Sequence, residues 1–239
     1  MVFYITMNRK GLPVLLSIIL VNTILCLNLL FATTESQVSL TLSHDTIQTG
    51  TQLTAYFNIK LQQGWYTYWQ NPGKIGSPLS LEWQLPPNIS AQKIHWPTPT
   101  LIQNNNYISY GFKNQLLVTI PLTIDPSIPY SSSLPIAVTA HWLECKDDLC
   151  VPKTQTLETN IIINNTNSYN LTAQPLINQW NQIIPIIYDK AAEYTIKNNK
   201  LWIKLPYMIP DIIEEIQFFP HAKYYTKHPI KHIKDKQLN

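Results

Sequence analysis

Cys145 and Cys150 stand close together in the stretch His141-Trp-Leu-Glu-Cys145-Lys-Asp-Asp-Leu-Cys150-Val-Pro152. The third cysteine, Cys26, lies in an apolar N-terminal run, so the rest of the chain carries one pair. Such a pair is either a small staple or a working thiol–disulfide centre. Zinc is a poor fit, because two thiolates and the nearby His141 fall short of a closed tetrahedral set. A bridge between these cysteines closes a loop of about six residues, and chain entropy assigns it only about 2 kcal/mol of stabilisation. A well-filled domain has little need of so small a staple, which favours redox chemistry. The spacing alone leaves both readings open.

Glu144, Asp147 and Asp148 flank the pair against one cation, Lys146. Negative surroundings disfavour a thiolate, so the pair is expected to react sluggishly until a docked partner supplies activating groups.

The elements that must hold the pair are strands. Stretches 37–43, 52–61, 64–69, 79–85, 115–124, 134–143 and 154–163 alternate apolar and polar residues or are rich in aromatic and β-branched ones. Residues 94–96 add a short strand, and Pro121 suggests an edge or a bulge. Eighteen prolines exclude long helices. The pattern predicts an all-β, immunoglobulin-like antiparallel sandwich. Beyond it, 165–172 reads as a polar linker. Leu176, Trp180, Ile183 and Ile184 share one face of a short helix. A hairpin is expected around Asn198-Asn199, with one more strand at 212–219. These later pieces form an incomplete second β-rich segment, 173–239, ending in a basic tail.

Arg9 and Lys10 precede the apolar run 12–31, and small residues follow at Ala32-Thr33-Thr34. Residues 1–34 therefore read as a signal peptide, with an uncleaved N-terminal anchor as the alternative. Either way the remainder is placed outside the cytoplasm, where disulfides persist. The net charge is +3, but the tail from His221 onward holds five lysines against one aspartate. The near-neutral body gives no footprint for nucleic acid. No nucleotide-cradling glycine loop or paired catalytic carboxylates stand out, and no cofactor is expected. His228 and His232 lie in the solvated tail, where Pro229 interrupts any helical spacing.

Four blocks resemble the periplasmic N-terminal region of the DsbD/ScsB family of thiol–disulfide interchange proteins. They are Gly64-Trp-Tyr-Thr-Tyr-Trp-Gln-Asn-Pro-Gly73, Ile94-His-Trp-Pro-Thr-Pro99, Tyr110-Gly111, and Trp142-Leu-Glu-Cys145 through Cys150-Val-Pro152. The resemblance spans roughly 38–220, and the cysteine block is its most specific part. It implies that 36–164 is a thiol–disulfide interchange domain in which Cys145 and Cys150 form the redox pair and Cys150 makes the mixed disulfide. It also implies thioredoxin-like periplasmic partners and an upstream membrane electron-transport domain. The chain carries no later membrane helices or thioredoxin-like domain, so that donor is expected on a separate chain. If active, the protein belongs to a protein-disulfide reductase system. Alternatives are a binding module with a structural disulfide, or a truncated remnant.

Tyr66 and Tyr68 occupy the family's Tyr-x-Tyr positions. Tyr110-Gly111 matches the end of its covering loop, and the loop 104–110, with Tyr107 and Tyr110, is expected to shield the pair and to move when a partner docks. These four tyrosines are expected to shield the pair or to meet the partner. Trp65, Trp83, Trp96 and Trp142 are expected in the core.

Overall fold

The computed structural model describes residues 35–104, 107–206 and 217–221. Two sheets face one another. One has four strands in the order β1 (Gln37–Leu42), β3 (Leu53–Lys60), β9 (Gln115–Ile124), β6 (Ile89–Ala91). The larger runs β12 (Ser168–Tyr169), β2 (His44–Ile47), β11 (Leu149–Ile163), β10 (Ser132–Lys146), β4 (Tyr66–Gly73), β8 (Tyr107–Lys113), β7 (Thr100–Asn104). Beside it, β5 (Ser80–Gln84) pairs with the first part of β10, through residues 137–141. All pairings between these strands are antiparallel except that of β2 with β11. The expected immunoglobulin-like sandwich is the observed fold class.

Alternation explains the core. Leu53, Ala55, Phe57 and Ile59 of β3 meet Leu116, Val118, Ile120 and Leu122 of β9. Ile136, Val138, Ala140 and Trp142 of β10 close it from the other sheet. Burial of this much apolar side-chain area, at about 25 cal/mol per Å², is the main force holding the sheets together. Trp83 and Trp96 pack on the same core, as does Trp65.

β3 and β9 are buried on both faces. On their outer side Tyr56 and Leu117 receive Trp180 of the helix α1 (Gln174–Ile183), with Leu176, Ile177 and Ile183 around it. Ile184, expected on the same face, is the helix's extended C-cap and is exposed. The stretch 165–172 runs against β2. Its β12 pairs with β2, and Gln48 N donates to Asn167 Oδ1.

Pro121 sits within a central strand. Its carbonyl accepts from Gln92 N just where regular pairing with β6 ends at Ala91. The missing N–H therefore faces a local break in the ladder rather than a partner. Residues 94–96 form no strand; His95 makes an isolated bridge to Thr119.

β13 (Glu193–Lys197) and β14 (Lys200–Lys204) form the expected hairpin, with Asn198 and Asn199 both at positive φ as a two-residue primed turn requires. The strand expected at 212–219 lies largely outside the described residues, as do the 1–34 leader and the basic tail. Residues 217–221 run beside β4, where Asn71 Nδ2 donates to the carbonyl of Pro220 at 2.6 Å. Among the described residues no helix is long and apolar enough to cross a membrane.

Candidate functional site

β10 and β11 form one long hairpin whose turn is Asp147-Asp148. Asp147 has φ +51°, the left-handed conformation that primed two-residue turns need at their first position and that aspartate tolerates. The turn fixes a register in which Cys145 and Cys150 lie directly opposite each other. Their Cα atoms are 4.1 Å apart and the sulfurs are bonded. Directly opposed residues at non-hydrogen-bonded positions approach to about 4.5 Å, which is what a cross-strand bridge needs.

The two cysteines differ in exposure. Cys145 is 0% exposed, whereas Cys150 and its neighbour Leu149, 59% exposed, stand at the hairpin tip. The burial of Cys145 follows from strand parity. Trp142 and Glu144 point to the core side of the sheet, so Leu143 and Cys145 point to the outer side. There a second small cluster gathers, made of Tyr66, Tyr68, Ile102 and Cys145 with Leu143 against it.

β4 supplies the tyrosines. Tyr66 pairs with Cys145 across the ladder, and Tyr68, two residues on, takes the same face. The Tyr68 hydroxyl lies 3.3 Å from Cys145 Sγ and 4.0 Å from Cys150 Sγ. The tyrosine rings meet edge to face at 5.6 Å. Burial, helped by the hydrogen bond to Tyr66, pushes the Tyr68 phenol well above the ordinary tyrosine range. It stays protonated and can donate a hydrogen bond to a sulfur anion. Thr67, on the opposite face, donates its hydroxyl to the carbonyl of Leu143 at 2.9 Å and ties β4 to β10.

β7 supplies the cover. Ile102 opposes Ser109 of β8, and its side chain reaches the tyrosines and Cys145. Gly111 makes room for it. A β-carbon there would fall 2.8 Å from Ile102 Cδ1 and 2.1 Å from the Thr67 carbonyl oxygen.

Of the residues singled out in the sequence, Cys145, Cys150, Tyr66 and Tyr68 come together. Tyr110 does not join them. It faces the core, edge-on to Trp69 at 6.4 Å and to Phe219 at 5.6 Å. Tyr107 opens β8, but its side chain lies outside the described residues, as do residues 105 and 106 of the loop. Glu144 also leaves the pair. It is buried on the core side, where Ser36 Oγ donates to it at 2.9 Å and Trp142 Nε1 at 2.7 Å. The acids at the tip are therefore Asp147 and Asp148, with Lys146 beside them. Ile102 is the site residue that the sequence reading missed. Among the described residues no group of three or more His, Cys, Asp or Glu side chains is placed to hold a metal.

Known proteins place this site in context. The N-terminal periplasmic domain of ScsB from Proteus mirabilis shares the fold, with a TM-score of 0.51 at 19% identity, over 72% of this chain and 64% of that one. This chain thus spans less than two thirds of that domain's length. The reduced DsbD N-terminal domain from Neisseria meningitidis aligns at 9% identity with a TM-score of 0.33, over 54% of this chain and 89% of that one. No curated protein matches. Residues 37–161, more than half of the chain, match the family described as thiol:disulfide interchange protein DsbD, N-terminal, and the chain belongs to that family.

Proposed function

We propose that this chain is an exported thiol–disulfide shuttle domain that carries reducing equivalents through Cys145 and Cys150 to oxidised partner proteins. The observation that carries this reading is the asymmetry of the pair, with one sulfur at the tip of a hairpin and the other buried under a tyrosine hydroxyl. A staple gains nothing from that asymmetry, but an exchange reaction does.

An incoming donor thiolate attacks the sulfur of Cys150, the exposed cysteine of the pair. The Cys145–Cys150 bond breaks, and Cys145 leaves as a thiolate that accepts a hydrogen bond from Tyr68. The donor is then joined to Cys150 in a mixed disulfide. The donor's second thiolate attacks its own bridged sulfur and releases Cys150 as a thiolate. Two electrons have moved, the donor holds a new disulfide, and the two cysteines take up two protons from solvent. The same steps in reverse reduce an oxidised partner. Family membership implies thiol–disulfide partners. We take the downstream partner to be thioredoxin-like, the donor to be a membrane electron-transport domain, and the compartment to be the periplasm.

Mixed-disulfide formation tests this assignment. Cys145→Ser leaves Cys150 alone at the tip, and it should be glutathionylated readily by glutathione disulfide, as read by mass spectrometry. Cys150→Ser leaves Cys145 covered, and it should react far more slowly. Equal reactivity, or a wild-type disulfide that dithiothreitol reduces only when the fold is lost, would overturn the shuttle.

A further inference from the structure

After β4 the chain loops round and meets the strand again running in the same direction, where Pro78 makes a parallel bridge with Tyr68. Gly76 then lies against the Tyr68 ring. A β-carbon at Gly76 would fall 2.3 Å from Cε1 and 2.5 Å from both Cδ1 and Cζ of that ring. The ring is 1% exposed and abuts the Tyr66 ring, so it cannot swing aside as a flexible side-chain end would.

We propose that Gly76 is a positioning residue for the disulfide: its bare backbone backs the Tyr68 ring and holds the hydroxyl over Cys145 Sγ. The proposal rests on the thiol–disulfide reading for its purpose, because only an exchange reaction requires a donor fixed at the sulfur that leaves. A simpler reason for glycine exists at this position. Its φ is +111°, a conformation that side chains rarely adopt. The two reasons make different predictions. Backbone strain is indifferent to what residue 68 is, whereas a collision with the ring disappears when the ring does.

Two measurements on the full chain separate them. The first uses the Cys150→Ser protein, in which Cys145 titrates alone, followed through the carbon chemical shift of its labelled side chain. Tyr68→Phe should lower the Cys145 ionisation constant by about tenfold, the effect of one lost hydrogen bond to a charged group. Gly76→Ala should produce a loss of similar size, and the two changes together should produce no more than one. If Gly76→Ala leaves the titration where it was, or if Tyr68→Phe does, the proposal is wrong.

The second measurement is thermal unfolding. Gly76→Ala should lower the melting temperature less in a Tyr68→Leu background than in the parent. Should Gly76→Ala fail to fold alone, it should fold when combined with Tyr68→Leu. An equal loss in both backgrounds, or failure to fold in both, assigns the glycine to backbone strain and overturns the proposal. Neither readout depends on turnover. A wild-type disulfide that resists exchange would sink the shuttle while leaving this coupling measurable.

Discussion

The Tyr68 hydroxyl sits 3.3 Å from the Sγ of Cys145, the sulfur that no attacking protein can reach. It is therefore placed to act on the leaving group rather than on the nucleophile. A leaving thiolate buried among Tyr66, Ile102 and Leu143 has little else to stabilise it. Hydrogen bonds to charged groups contribute about 1.5–3 kcal/mol.

Tyr68→Phe should accordingly slow reduction by small thiols by about tenfold or more, since each 1.36 kcal/mol of barrier is a factor of ten. Stopped-flow reduction with dithiothreitol measures it. The same substitution should alter alkaline stability. Burial raises the phenol in the folded state, so the native protein holds this proton after the unfolded chain has lost it. The stabilisation is fully present below the unfolded value near pH 10 and is lost as pH rises toward the folded one. Urea unfolding from pH 9 upward should fall less steeply in Tyr68→Phe than in the parent. Tyr56, also raised by burial, adds to the slope in both proteins.

Some of the site is legible in the sequence for clear reasons. Two cysteines beside a two-residue turn can hardly avoid facing each other, and Tyr66 and Tyr68, two apart on an aromatic strand, must share a face. What strand parity cannot supply is which face of the sheet that is. Tyr110 falls on the core side because the register pairs Thr67 with Phe112 and Tyr68 with Gly111. That register is a long-range property that no local pattern encodes. Ile102 is hidden for the same reason. It is one of two adjacent apolar residues, Leu101 and Ile102, in an otherwise polar stretch, and it reaches the cysteine only through the pairings of β7 with β8, β8 with β4 and β4 with β10. Pro152 lies within β11 opposite Leu143. It is tolerated because β2 joins β11 only at Ile162 and Ile163, leaving Pro152 on an open edge. The helix 174–183 was visible from its apolar spacing. Its seat on Tyr56 and Leu117 was not, since those residues look like ordinary strand fillers.

Removing the disulfide should cost little. The bridge joins neighbours already held by a long hairpin and closes a loop of about six residues, for about 2 kcal/mol. The Cys145→Ser/Cys150→Ser protein should remain folded, with its urea midpoint lowered but its m-value unchanged within error. Loss of cooperative unfolding would identify the bond as structural and count against the shuttle.

Ile102→Ala should expose the buried sulfur. The side chain is 3% exposed and contributes to the cover over Cys145. Truncation of a buried isoleucine costs about 2–5 kcal/mol, with the low end expected for a small cluster on the outer face of a sheet. The informative readout is a comparison of reagents. A compact thiol should gain access to Cys145 and react faster with the Ala variant. Attack at Cys150, followed as the glutathionylation of Cys145→Ser, should stay nearly unchanged, because Cys150 is already exposed. A parallel rise in both would mean that the hairpin tip itself has loosened.

The acids at the tip should select among attackers. Asp147 and Asp148 form the turn between the two cysteines, and Glu144 is turned away to Ser36 and Trp142. Two exposed carboxylates against Lys146 leave a negative field around Cys150 that repels an approaching anion. Between exposed charges that field is screened over about 8 Å at physiological ionic strength. Asp147→Asn/Asp148→Asn should therefore speed reduction by glutathione, which carries net negative charge, more than reduction by neutral dithiothreitol. The gain should shrink as salt is added. A partner with a basic rim around its cysteine should show the opposite response and react more slowly with the variant. Stopped-flow rates at low and high ionic strength test both halves. Rates that are insensitive to salt for both reagents would show that the acids serve the turn alone.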